Sequence, residues 1–302
     1  MREGIPSSTA IGSAMIRAAH LFLDGSPPIF RDDFALALSG CSGEAEGLAL
    51  LQERYEPVAR KFGKEFCEFF QGVLRSAMTV RSRYTEETVE AALQRGLNQY
   101  VVLGAGLDSF ALRRRDLADR LDVYEVDHPA TQQWKRTRIG ALGIPLPSNL
   151  IFVPVDFEQQ TLVDALRSSS YRDDEPAIFS WLGVVMYLTK DAVRKTLRDI
   201  AMMATGSEIV TQYSVPPELL DEPHRRYLAG VAAITRAIGE PWINNYTSDE
   251  LAQELEQQGF DQIEHFGPEE AYARYFAGRS DSLPCQAVHR LIHARVGKSK
   301  SY

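Results

Sequence analysis

The sequence predicts an α/β fold: an open, mostly parallel sheet with helices on both faces. Two observations carry this reading. Short runs rich in β-branched and aromatic residues alternate with segments whose apolar residues recur at helical spacing, as in strands joined by crossover helices. The first such run enters Gly104-Ala105-Gly106 and the second ends on Glu125 and Asp127, so polar and glycine positions collect where parallel strands finish.

The elements follow in order. Ile11 to Leu23 puts Ile11, Met15, Ala18, Ala19 and Phe22 at helical spacing, and Asp24-Gly25-Ser26-Pro27-Pro28 stops that helix. Asp33 to Leu38 is short and apolar. Tyr55 to Leu74 reads as one long helix with Phe62, Phe66, Phe69, Phe70 and Val73 along a face, and Glu86 to Leu97 as another, closed by Gly96. The period then changes. Strands are expected over 100–103, 121–127, 150–155, 177–182 and 208–213, separated by helices over 129–142, 159–168 and 190–204. Pro216 to Pro241 reads as a helical insertion. Thr247 to Gln258 reads as a helix opened by a capping box of Thr247 and Glu250. Runs at 263–266 and 287–294 supply the last two strands. We expect a single domain over 1–302, with an N-terminal helical cover over 1–74, an α/β core over 75–302 and the insertion at about 216–241 closing over the ligand edge.

Composition narrows the function. The 302 residues include 33 Lys and Arg against 41 Asp and Glu, a formal net charge of −8. That acidic balance argues against a domain that works by neutralising phosphates. A hydrophobic content of 44% is too high for a disordered chain. Cys41, Cys67 and Cys285 form neither a CxxC pair nor a metal spacing and read as incidental thiols in a reducing compartment. Met1 to Ala10 lacks a secretory pattern, and the longest mostly apolar stretch, Ile178 to Leu188, is too short to span a bilayer. The expectation is a cytoplasmic protein with a small-molecule substrate, no nucleic acid, no membrane and no metal; a homodimer is left open.

Four places carry chemistry. Gly104-Ala105-Gly106 lets backbone approach a ligand closely, although Ser109 stands where a dinucleotide fingerprint has its third glycine. Glu125 and Asp127 stand on one face at the end of the second strand, where a carboxylate accepts bonds from ribose hydroxyls or simply solvates the strand end. Asp156 after the third strand could accept from an adenine amino group, with Phe157 near the ring, or could cap the next helix. Arg81-Ser82-Arg83-Tyr84 offers either two guanidinium forks for a carboxylate or a solvated basic face.

These motifs occur together, in order, with Tyr124-Glu125-Val126-Asp127-His128-Pro129 followed by Lys135, and with Met186-Tyr187-Leu188. The set resembles the leucine carboxyl methyltransferase family, most clearly over residues 75–215 and more weakly at Arg17-Ala18-Ala19 and from Pro28 to Ala35. It is similar to the bacterial branch that includes natural-product carboxyl O-methyltransferases. The resemblance implies a class I methyltransferase fold, a mostly parallel seven-stranded sheet with an added helical lid, and S-adenosylmethionine as cofactor. It implies that Arg83 contacts the methionine carboxylate, that the turn at Gly104, Ala105 and Gly106 lies against the cofactor, and that Asp127, rather than Glu125, holds the ribose. It implies that Asp156 and Phe157 contact adenine; Phe157 departs from the family's usual leucine. Many members carry a glutamate where this chain has Leu182, which puts one contact to the cofactor amine in doubt and leaves Trp181 as an alternative lining residue.

The implied reaction is methyl transfer to an oxygen of a small molecule, with a carboxylate favoured because it is ionised at neutral pH and needs no base. A phenol or alcohol acceptor would use a base, for which His20, His128 and Tyr187 are the candidates. The cover is rich in aromatics, among them Phe22, Phe30, Phe34 and Tyr227. For the substrate pocket the expected residues are Arg17, Arg81, Tyr84, Tyr187, Tyr213, Trp242 and Tyr246. The rival readings are a nicotinamide-dependent oxidoreductase and a non-catalytic binding protein on the same fold.

Overall fold

The structure, a computed structural model, describes residues 8–156 and 160–297. Its centre is one seven-stranded sheet of β1 (Gln99–Leu103), β2 (Asp122–Asp127), β3 (Leu150–Pro154), β4 (Ile178–Trp181), β5 (Glu208–Ser214), β6 (Phe260–Phe266) and β7 (His289–Val296). The spatial order is β3-β2-β1-β4-β5-β7-β6. β1 to β5 pair in parallel, whereas β7 is antiparallel to both β5 and β6. The mostly parallel seven-stranded sheet expected from the sequence is therefore present, with each strand within a few residues of its expected place.

Alternation along β1 explains the layers. Val101 and Leu103 join one apolar cluster, and Tyr100 and Val102 another, so both faces of the sheet are covered. The helices are α1 (Ser8–Leu23), α2 (Ala35–Ser39), α3 (Glu44–Phe62), α4 (Lys64–Gln94), α5 (Phe110–Arg113), α6 (Pro129–Ala141), α7 (Leu162–Arg167), α8 (Lys190–Ala201), α9 (Glu222–Ala237), α10 (Ser248–Gln258) and α11 (Pro268–Ala271). On one face α8 buries Val193, Leu197 and Ile200, a spacing of four and three that makes a single stripe. On the other, Val89 and Ala92 of α4 pack with Phe110 and Ala111 of α5. α10 opens on the expected capping box, with Thr247 and Glu250 exchanging bonds to each other's backbone N–H groups.

The N-terminal third differs from expectation. The helix expected over 55–74 is broken at Gly63, whose φ of +91° is outside helical range. Its two halves belong to α3 and α4, and the helix expected over 86–97 is the end of the 31-residue α4. The boundary expected between residues 74 and 75 consequently falls inside α4. Arg81, Ser82, Arg83 and Tyr84 lie within that helix. The expected insertion contains α9, preceded by a short turn at Pro217–Leu219. Cys41, Cys67 and Cys285 are free thiols. Among the described residues no helix is long and apolar enough to cross a membrane.

Candidate active site

A cavity of about 630 Å³ opens at the carboxyl ends of the parallel strands, within the size range of small-molecule sites. Its floor is the strand tails: Gly104, Ala105 and Gly106 after β1, Asp127 and His128 at the end of β2, Val155 and Asp156 after β3, and Leu182 to Val184 after β4. Thr9, Ala10, Ser13 and Arg17 of α1 and Leu74, Met78, Arg81 and Ser82 of α4 form one wall, each set on a single helical face. Tyr187, Tyr227, the segment from Gly239 to Ile243, and His289 complete it.

The glycine turn is shaped by its contacts. Gly104 has φ +68°, and a Cβ there would meet Cγ2 of Val184 at 2.6 Å, so a side chain would both strain the backbone and fill the floor. The N–H groups of Gly104 and Ala105 both donate to the Val126 carbonyl, at 2.9 and 3.1 Å, which ties the turn to β2. One oxygen of Asp127 accepts from the Gly106 N–H and the other from the His128 N–H, the latter at 2.6 Å. Burial holds this carboxyl above its ordinary range, and those two N–H groups, with Lys135 and His128, pull it back down.

The two arginines of the Arg-Ser-Arg-Tyr motif part company. Residues two apart on a helix point to different sides. Arg81 turns into the cavity, half-buried, with Nη1 donating to Oε1 of Gln212 at 2.8 Å. Among the described residues it forms no ion pair, and burial together with Arg17 presses it down to about 10. Arg83 is 51% exposed, pairs with Glu87, and does not line the cavity. Arg83, expected to face the cofactor, therefore lies off the cavity, and Arg81 is the arginine of the motif that lines it.

Arg17 lines the cavity and is tied down by Asp32 at 2.9 Å and by the Leu107 carbonyl at 2.7 Å. Tyr187, Trp242 and His128 line it as well; the His128 ring accepts from the Ala130 N–H and so caps α6. Leu182 lines it where many relatives of the expected kind would carry a glutamate.

Other expected site residues lie elsewhere. Glu125 is buried against Lys135, their charged ends in close contact, and burial pushes its carboxyl up to about 7 against the pull of Lys135. Asp127, two residues on along the same strand face and at the end of β2, is the one of the pair that lines the cavity. Trp181 is core, as the last residue of β4. Tyr84 is stacked on Phe266 with ring centres 4.3 Å apart. Tyr213 exchanges a 2.9 Å hydrogen bond with Ser248, and Tyr246 is packed in the core beneath Lys190. His20 accepts from the Ile29 N–H at Nε2, which leaves Nδ1–H to donate to Asp24 at 2.8 Å. None of these six lines the cavity. Phe157 falls outside the described residues.

His289 was not among the expected site residues. It begins β7 opposite Ser214, the last residue of β5, and the antiparallel pairing brings it to the ligand edge. Burial and the charge of Arg81 press its imidazole down to about 3, so it is neutral. The run at 287–294 was expected as a strand, but only its antiparallel pairing with β5 puts its first residues at the ligand edge.

Comparisons with known proteins bear on the family and the fold. The family model described as leucine carboxyl methyltransferase matches residues 10–201. The Bacillus subtilis protein named "Putative S-adenosyl-L-methionine-dependent methyltransferase YktD" is 30% identical over 307 residues, covering 97% of this chain and 99% of that one. A protein of the same description from Mycolicibacterium paratuberculosis is 29% identical over 211 residues, covering 69% of this chain and 68% of its own. Among solved structures, a DUF574 family protein from Streptomyces avermitilis superposes with a TM-score of 0.60 at 14% identity, over 94% of this chain and 96% of that one. A Thermobifida fusca protein described as a "putative methyltransferase" gives 0.56 at 15%, over 98% and 97%. At such identities these two show a shared fold alone.

Proposed function

This chain belongs to the leucine carboxyl methyltransferase family, and from that premise we propose that it methylates a carboxylate oxygen of a small-molecule acceptor. Family and fold make it an S-adenosylmethionine-dependent methyltransferase of class I; the acceptor and the residue roles are the proposal.

The cavity fits that cofactor. The floor at Gly104 is a cradle that a Cβ would fill. Each Asp127 oxygen takes one backbone N–H and keeps a lone pair for a ribose hydroxyl. Arg81, a half-buried guanidinium without an ion-pair partner among the described residues, would hold the methionine carboxylate. Asp156 would accept from the adenine amino group. When bound, the cofactor would supply a methyl group on a sulfonium, whose C–S electron pair would stay on sulfur, and an ionised acceptor oxygen would need no proton removed.

The chain's own part is to align and to exclude water. What supports the carboxylate reading is the set of groups on the cavity wall: His128 spends Nδ1 on the Ala130 N–H, burial holds the Tyr187 hydroxyl up, and burial with Arg81 presses the His289 imidazole down to about 3, too weak a base for a phenol or alcohol near neutral pH. That favours an acceptor already ionised. The test is calorimetric titration with S-adenosylhomocysteine, followed by labelled-methyl transfer to a panel of carboxylic acids and phenols. Base-labile methyl esters are expected. Transfer to phenols with none to acids would refute the carboxylate reading, and no affinity for S-adenosylhomocysteine would refute the whole.

A further inference from the structure

Three polar atoms of the cavity wall have no task in the cofactor site. Tyr227 Oη, Trp242 Nε1 and His289 Nδ1 are buried and find no hydrogen-bond partner among the described residues. A polar atom buried without a partner is costly, so three on one ligand cavity call for a group that satisfies them. The adjoining wall is aromatic. Trp242 stands edge-on to His289, ring centres 5.4 Å apart at 74°, and Tyr187 stands edge-on to Trp242, 6.3 Å apart at 84°.

We propose that Tyr227 and His289 form the acceptor subsite and donate hydrogen bonds to the non-attacking oxygen of an aromatic carboxylate whose ring lies against Trp242 and Tyr187. This rests on the carboxyl methyltransferase reading and names the substrate class of that site. Neutral donors suit the chemistry. In the transfer, the negative charge of the acceptor and the positive charge of the sulfonium are both lost. A cation fixed beside the acceptor would stabilise the ionised ground state more than the transition state and slow the step. A phenolic O–H and a neutral imidazole N–H orient the carboxylate with less of that penalty.

The test uses the full chain saturated with S-adenosylhomocysteine, titrated with benzoate, and with benzylamine as the cationic control. Benzoate binds and benzylamine does not. Tyr227→Phe removes one oxygen and keeps the ring; it is expected to weaken benzoate about tenfold, as befits a bond to a charged group. His289→Gln is expected to act in the same direction, and both variants keep wild-type affinity for S-adenosylhomocysteine. A merely structural Tyr227 would leave benzoate affinity unchanged. That result, or no benzoate binding at millimolar concentration by a protein that does bind S-adenosylhomocysteine, overturns the subsite. Failure to bind S-adenosylhomocysteine at all would instead overturn the reading beneath it.

Discussion

Nη1 of Arg81 lies 2.7 Å from the point where a Cβ on Gly183 would stand. The tail of β4 therefore leaves the guanidinium its place in the cavity only because residue 183 lacks a side chain. Gly183 also has φ +70°, which disfavours any L side chain. Gly183→Ala is expected to cost about 1 kcal/mol or more of stability and to push Arg81 off its position. Denaturant unfolding and S-adenosylhomocysteine titration together check this; a variant with unchanged cofactor affinity would show that Arg81 is not held there.

The two arginines of the motif should separate cleanly. Arg81→Ala is expected to weaken S-adenosylhomocysteine by roughly tenfold or more, since bonds to charged groups are worth about 1.5–3 kcal/mol. Arg81→Lys should restore only part of it, because the planar fork is lost. Arg83→Ala removes an exposed pair with Glu87, worth about 0–1 kcal/mol, and should leave the affinity alone. The opposite ranking in calorimetry would return the role to Arg83.

Asp127 gives the binding a pH dependence. Its carboxyl lies above the ordinary value because burial outweighs the N–H groups of Gly106 and His128. The ribose role requires the ionised form, so cofactor affinity should be full at neutral pH and fall as pH drops through that raised value. Asp127→Ala should bind more weakly and lose the dependence in that window. Titrations between pH 4 and 8 decide it: the same acid limb in the variant would assign the dependence to another group.

Lys135 and Glu125 form a buried pair directly behind Asp127. The Glu125 carboxyl is raised to about 7, so its contribution to stability is fully present below the unfolded carboxylate value near 4.5 and is lost as pH rises through about 7. Lys135→Met leaves that carboxyl uncompensated, a loss of about 3–5 kcal/mol once it is ionised. The penalty should be large at pH 8 and smaller at pH 6, where protonation relieves it. Equal penalties at both pH values, read from chemical denaturation, would contradict a titrating Glu125.

The strands were legible because each is a short β-branched or aromatic run whose neighbours on both faces are apolar; β1, with Val101 and Leu103 to one side and Tyr100 and Val102 to the other, is the plain case. The helix expected from Tyr55 to Leu74 was not, since its aromatic face continues across Gly63 and periodicity does not register one residue with φ +91°. Among site residues, Gly104, Gly106, Asp127 and Asp156 were visible because the ends of parallel strands are where ligands bind in such sheets. Glu125 shared that signal and went to the interior, where Lys135 meets it.

By itself the sequence determined the sheet, its strand ends and the family, all of which rest on local pattern and on motif order. Tertiary structure alone decided which arginine faces the cavity, which carboxylate is left open, and that His289 and Tyr227 arrive there. Those choices depend on the rotation of α4 about its axis, on Lys135 of α6 meeting Glu125, on the placing of α9 and on the antiparallel return of β7. They are settled by packing between elements, and they leave no mark in the residues immediately around the ones they select.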